Sequence, residues 1–352
     1  MAFATSQGKP DAPRPHTKWG TALGLGILGS LAVALILLAF TWPSKTSEPQ
    51  NLPVSIAGPE AAVTAFEDLI DTASPGLFDF VEADDRGDAV DQIKTRETYG
   101  AIILAAPPEA PEVLTAPAAN AAATQMLTGV ATQLQTQLTA QVTAAGGDPS
   151  TATVTVTPVV PLAESDPTGA GLAVAALPLT IGGMLGGVLV SMLIVGPMRR
   201  LLALVGFATA SGLLLTLILQ TWFEYLQGDF WLNSLGIGVS ILATAAFIAG
   251  CTSLIGPRGL GVAAAITILF ANPLSGAAMP WQFLPEPWGA IGQYFVPGAA
   301  NDLLRSLSYF PDANTAPQWL ILSAWIAFGV MLTLVGHYRT RSSVRAAENP
   351  VT

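Results

Sequence analysis

Few residues in this chain could do chemistry. No histidine stands between His16 and His337, which excludes histidine-based triads and histidine-ligated zinc from that whole stretch. The single cysteine, Cys251, sits in an apolar run, cannot form an intrachain disulfide, and reads as a packing residue. The densest carboxylates are Asp84, Asp85, Asp88 and Asp91. Such a group could attract calcium, yet the ligand spacing of an EF-hand and its closing glutamate are missing. A solvated turn running into a charged helix start is the simpler reading. No Gly-x-x-x-x-Gly-Lys-Ser/Thr loop is present, so the chain has no phosphate loop with which to hydrolyse ATP. These residues point away from an enzyme and toward no metal and no cofactor.

What must position the remaining polar groups is mostly apolar helix. Of the 352 residues, 51% are apolar and 11% charged, too apolar a mixture for an ordinary soluble domain. A bilayer core about 30 Å thick takes roughly 20 apolar residues of helix. Six segments meet that requirement: 19–41, 171–195, 201–221, 234–255, 260–280 and 318–337. Lys9, Arg14 and Lys18 precede the first. Arg199 and Arg200 separate the second from the third, and Arg258 the fourth from the fifth. Arg339, Arg341 and Arg345 follow the last. Six spans put all four clusters on one side, which the positive-inside rule makes the cytoplasm. The expectation is a multi-pass plasma-membrane protein with both termini cytoplasmic. Residues 1–18 and 339–352 read as tails, the first proline-rich and disordered. Phe40-Thr41-Trp42-Pro43 is a poor cleavage site, so 19–41 reads as an uncleaved anchor.

Residues 42–170 then form an extracellular domain. They carry seventeen acidic residues against Lys45, Arg86, Lys94 and Arg96, a balance that offers nucleic acid nothing to bind. Leu52 to Ile56 alternates like a strand, and Pro59-Glu60 opens a helix with Val63, Phe66 and Ile70 on one face. Phe78 to Val81 reads as a strand, Val90 and Ile93 as a short helix, Tyr99 to Ala105 as a buried strand, and Glu112 to Thr115 as another. Residues 120–143 form a long helix, and Thr151 to Val160 alternates again. The order predicts a small sheet covered by helices.

The second half, 171–338, predicts five spans. Gly182, Gly183, Gly186 and Gly187 make two overlapping small-xxx-small patterns, a weaker version of which is Gly20 with Gly24. They suit packing within the chain, a dimer seam, or a sliding face. The span interiors hold almost nothing ionisable, which argues against a proton relay or a charged-ring channel. The stretch from Phe270 to Trp281 is broken by Pro273 and Pro280, where Asn272 and Ser275 could satisfy freed backbone groups. About residues 281–310 the chain is too broken to span and too apolar for a free loop. It reads as re-entrant or interfacial, with Trp281, Trp288 and Tyr294 at headgroup level. Asp302 and Arg305 lie three apart and could pair on one helix face, either as an exposed pair worth little or as an outer gate contact.

Together the layout resembles the permease subunits of type-2 ABC exporters, and most of all the phage-infection-protein (Pip-like) branch of Gram-positive bacterial membrane proteins. The residues that carry the resemblance are Tyr99-Gly100-Ala101-Ile102-Ile103-Leu104 and Asn272-Pro273-Leu274-Ser275-Gly276, continued by Pro280, Leu284-Pro285, Pro297-Gly298 and Asp302-Leu303-Leu304-Arg305. The resemblance implies a homodimeric or heterodimeric exporter driven by a cytoplasmic ATPase partner. It moves a hydrophobic, lipid-like or peptide substrate outward, with Asn272, Pro273, Ser275, Pro280, Asp302 and Arg305 as the outer gate. Such permeases usually carry a coupling helix between spans 2 and 3. Here it shrinks to about Gly196-Pro197-Met198-Arg199-Arg200, where Arg199 and Arg200 are coupling residues or simple topology anchors. The alternative is a non-transporting receptor or a scaffold of a secretion or envelope-assembly machine.

Overall fold

The computed structural model describes residues 18–105, 110–148 and 153–348, with side chains as far as Arg339. The expected amino-terminal tail, apart from Lys18, and residues 349–352 lie outside the described residues. The chain opens with α1 (Trp19–Thr46), then β1 (Leu52–Ala57), α2 (Glu60–Ala73), β2 (Phe78–Glu82), α3 (Arg86–Lys94), β3 (Gly100–Ile103), β4 (Glu112–Thr115), α4 (Ala121–Ala144) and β5 (Thr155–Pro158). The strands form one sheet in the order β2-β1-β3-β4-β5. β1 runs parallel to β2 and to β3, β4 runs antiparallel to β3, and β5 runs parallel to β4.

Period-two alternation sets which side chains go where. Leu52, Val54 and Ile56 of β1 enter one core with Phe66 and Ile70 of α2 and Leu127 and Val130 of α4. Ala101 of β3 and Leu114 of β4 turn to the opposite face, where Ala89 and Ile93 of α3 cover them. The acidic cluster is explained locally. Asp85 caps α3 by accepting from the amides of Gly87 and Asp88, and Asp88 accepts from the Asp84 amide. Asn120 caps α4 in the same way through the Ala122 and Ala123 amides.

The second half holds α5 (Ala170–Leu193), α6 (Pro197–Thr216), α7 (Phe230–Ile255), α8 (Pro257–Ala265), α9 (Trp288–Gln293), α10 (Val296–Tyr309) and α11 (Ala316–Glu348). α6 and α8 each continue into a wider π-helical turn, Leu217–Trp222 and Ile266–Ala271. Among the described residues five helices are long and apolar enough to cross a membrane: Trp19–Thr46, Ala170–Leu193, Pro197–Trp222, Phe230–Ile255 and Ala316–Arg339. That is consistent with a polytopic helical membrane protein. The segment 260–280 differs from the expected span, because its helix, Pro257–Ala271, is shorter and ends two residues before Pro273. Proline lacks the N–H that the next turn needs and disfavours helix in the residue before it.

α7 is the hub, buried almost continuously from Asn233 to Cys251 and packed by α5, α6 and α11. The glycine run on α5 makes this approach possible. A Cβ on Gly183 would lie 2.8 Å from Thr244 Cβ, and one on Gly187 would lie 2.7 Å from Ile248 Cβ. Gly186 faces Phe207 of α6, whereas Gly182 faces open space. Three of the four glycines thus serve packing within the chain. α1 is the opposite case. Gly20 and Gly24 have nothing within 4 Å, and only Pro43 along the helix is buried.

These contacts separate two neighbouring positions. Gly187→Leu should lower the melting temperature of the purified protein by an amount matching about 1–3 kcal/mol of overpacking, while Gly182→Leu leaves it unchanged. Equal melting of the two variants would remove the α5–α7 seam as the reason for this glycine run.

Candidate functional site

The sheet and the helical half are joined by side chains rather than by a linker alone. Phe283, in the short 3-10 turn Trp281–Phe283, enters the core formed by β1, α2 and α4. Phe310, just past α10, enters the core on the other face beside Ile93 and Leu114. Phe283 is 6% exposed and Phe310 is 1% exposed. Each face of the sheet is therefore completed by an aromatic ring from the helical half. Truncating such a ring in a well-packed core typically costs about 3–5 kcal/mol.

Between the two rings lies a polar seam. Arg96 follows α3 in a left-handed conformation, φ 66°, which aims its side chain at α10. Its Nη2 lies 2.7 Å from Asp302 Oδ1, and its Nη1 donates to Ser306 Oγ at 2.6 Å and to the Asp302 carbonyl at 3.0 Å. The guanidinium also sits 5.3 Å from the centroid of the Phe310 ring. The second Asp302 oxygen, Oδ2, accepts from Gln318 Nε2 of α11. Tyr99 Oη donates to Gln282 Oε1 at 3.3 Å, and burial pushes the Tyr99 phenol up.

Arg305 is deeply placed, 6% exposed. Its Nη1 donates to the carbonyls of Ala118 and Ala119 at 3.1 and 2.6 Å, and its Nη2 reaches the Ala277 carbonyl at 3.5 Å. Burial, with Arg96 nearby, pulls this guanidinium down to about 10, so it stays protonated at neutral pH. The sequence spacing suggests an Asp302–Arg305 pair, and the structure shows otherwise. Asp302 faces Arg96 across the seam, while Arg305 turns inward to backbone carbonyls ahead of α4. Three-residue spacing on a helix permits a pair but does not outweigh partners with better geometry from another element.

The other expected gate residues frame this seam without joining it. Asn272 and Ser275 are both buried, and Asn272 Nδ2 has no partner. The Asn272 amide bonds to the Thr267 carbonyl, so the widened turn satisfies the backbone and the Asn272 side chain does not. Pro273 lines an apolar groove of about 490 Å³ between α1 and the end of the α8 helix, with Trp42 and Trp288. Pro280 leads directly into the turn that carries Phe283. Gly289 and Gly292 of α9 pack onto the carbonyls of Trp281 and Leu274, approaches that a Cβ would block. On the far side of the bundle, Arg200 is fully engaged. It donates to the Ile194 and Ser191 carbonyls, closing the end of α5, and to Ser253 Oγ of α7 at 3.0 Å. Arg199 is exposed.

A polar cavity of about 320 Å³ opens on the seam, walled by Arg96, Tyr99, Trp281, Gln282, Asp302 and Gln318. Sequence reasoning had no role for Arg96, Gln282 or Gln318. The available signal was Arg96 itself, a cation just past the end of α3 in a strongly acidic domain. No family model matches this chain, and no curated protein or solved structure matches it. What it does must therefore be argued from its own residues.

Arg305→Ala strands two buried carbonyls and should destabilise the α/β unit by about 2–4 kcal/mol. Asp302→Asn acts on a partly exposed pair and should cost about 1 kcal/mol or less. Thermal unfolding followed by protease sensitivity of the sheet reads both. Wild-type resistance in Arg305→Ala would show that the seam is held elsewhere.

Proposed function

We propose that this chain is the permease subunit of an exporter in a plasma membrane, powered by a separate cytoplasmic ATPase. Its α/β unit faces outward, and the broken segment from Asn272 to Tyr309 serves as the outer gate for a hydrophobic, lipid-like or peptide substrate. The observation that carries this reading is the seam. α10 and the turn at Trp281–Phe283 are built into both cores of the α/β unit, so displacement of the broken segment carries the sheet with it. A gate needs such a coupling between the path through the bundle and the domain that receives what leaves it. The lack of a phosphate loop assigns the energy source to a partner protein. The lack of interior charges in the expected spans fits a substrate that is not an ion. Within this reading, Arg305 holds the gate's frame, and the Arg96–Asp302 pair is its adjustable contact.

A specific observation favours a second reading, a receptor or scaffold that transports nothing. The turn between α5 and α6 is short, and Arg200 is consumed in closing α5. Only exposed Arg199 remains there to meet an ATPase.

Two measurements decide between these readings. The tagged protein, purified in mild detergent from its native membrane, should bring down a stoichiometric P-loop ATPase whose turnover depends on this chain. In export assays, Asp302→Arg should impair transport at normal abundance, and combining it with Arg96→Asp should restore part of it. If no ATPase co-purifies and secretion-machine or surface proteins appear instead, the scaffold reading replaces the permease reading.

A further inference from the structure

We propose that the cavity beside the Arg96–Asp302 pair binds a small zwitterion, with an ammonium at one end and a phosphate or carboxylate at the other. Charges of both signs converge there. Arg96 and Asp302 stand on its wall, and Glu97 is exposed on its rim. Arg305 sits behind the wall, bonded to the carbonyl of Ala119, which itself lines the cavity. The lining thus carries one cation, Arg96, and two carboxylates, Asp302 and Glu97, with Arg305 behind it, so a lone anion or a lone cation meets a partner and a repellent together. A dipolar ligand meets only partners.

Each end of the ligand has a defined environment. Glu97 provides a carboxylate for an ammonium, and Trp281 and Tyr99 on the same lining provide aromatic rings. For a phosphate or carboxylate the lining provides the Arg96 guanidinium, paired in the unliganded chain with Asp302, and the Gln318 side-chain N–H, donated there to Asp302. Gln318 is lightly held. It makes one hydrogen bond through Nε2, and its Oε1 is buried with no partner. It can turn to a ligand and leave Asp302 with Arg96. The volume of about 320 Å³ lies at the low end of small-molecule pockets, roughly 300–1,000 Å³, so it takes a headgroup-sized molecule and no tail. The same chemistry comes from a free solute or from a lipid headgroup, which the proposed orientation brings to the level of Trp281. The inference deepens the gate reading, since the ligand would sit on the gate's ion pair. Its test is binding, which stands even if export fails.

The test uses the full chain in detergent, titrated calorimetrically with phosphoethanolamine. Ethanolamine alone and inorganic phosphate alone serve as the single-charge controls. Phosphoethanolamine should bind at least about tenfold more tightly than either control, and Glu97→Gln should weaken it by about three- to tenfold. Glu97 is exposed, so the variant's unliganded melting should match wild type. If the solute binds this way, the ligand is a free zwitterion. If instead only discs of phosphatidylethanolamine, compared with phosphatidylglycerol, raise the melting temperature in a Glu97-dependent manner, the ligand is a headgroup. Binding of phosphate alone with equal affinity, indifference to Glu97→Gln in both formats, or no binding in either overturns the proposal.

Discussion

A buried guanidinium with no carboxylate of its own is the constraint on which the join between the two halves depends. Arg305 is solvated by the carbonyls of Ala118 and Ala119 and by the more distant Ala277. Removing such a cation from water is costly unless its donors are met. Those carbonyls must therefore be in place whenever α10 is docked. Ala118 and Ala119 lie immediately before Asn120, whose side chain caps α4, so the cap that starts α4 also fixes the turn that receives Arg305. Ala277 belongs to the broken segment. One side chain thus ties α10, the sheet's last long helix and the segment after Pro273 into a single geometry.

The two phenylalanines make the same point in apolar terms. A sheet with helices on both faces normally closes its own cores. Here neither core is complete without a ring from the second half, Phe283 on one side and Phe310 on the other. The α/β unit is separate along the chain but not in packing. The polar seam lies between the rings, where Arg96 stacks near Phe310 while pairing with Asp302. The pair is partly exposed and lines the polar cavity, so it is weaker than a fully buried one.

Local rules made much of this legible in the sequence. Alternation in Leu52-Pro53-Val54-Ser55-Ile56 places β1, and the stripe of Leu127 and Val130 places α4 against it. The glycine spacing on α5 permits a close helix seam, which Gly183, Gly186 and Gly187 make while Gly182, and Gly20 and Gly24 on α1, face open space. The failures at Asp302, Arg305 and Arg96 share one cause, which is dependence on distant partners. Asp302 and Arg305 satisfy a helical pairing rule, yet each finds a better partner far away in sequence, at Arg96 and at Ala118–Ala119. Arg96 carries no motif and acquires its role only because the turn after α3 faces α10. The span at 260–280 exceeded what its own proline allows, since hydropathy counts residues without counting backbone donors. Asn272 is the residue the local rules explain least, for its side-chain Nδ2 is buried without a partner beside a backbone that has already satisfied itself.

The distribution of contacts also says where this molecule is held and where it is not. The carboxyl-terminal end of α1 is tied to the broken segment. The Glu48 amide bonds to the Phe283 carbonyl, and Gln50 Nε2 reaches the carbonyls of Gln282 and Leu284. Apart from Pro43 the body of α1 is largely exposed, and it meets the rest of the chain mainly near the π-helical turn Ile266–Ala271. A helix so apolar is stable only against hydrocarbon or another apolar helix. The same segment, from Asn272 to Trp288, has the polar cavity on one side and the apolar groove bounded by α1 on the other. Its glycines lock it to itself at Leu274 and Trp281, and Phe283 locks it to the sheet. Any relative movement is therefore easiest at the α1 groove, where apolar surfaces part without breaking a hydrogen bond. It is hardest at the seam, where parting them would expose two aromatic rings and strand a buried arginine.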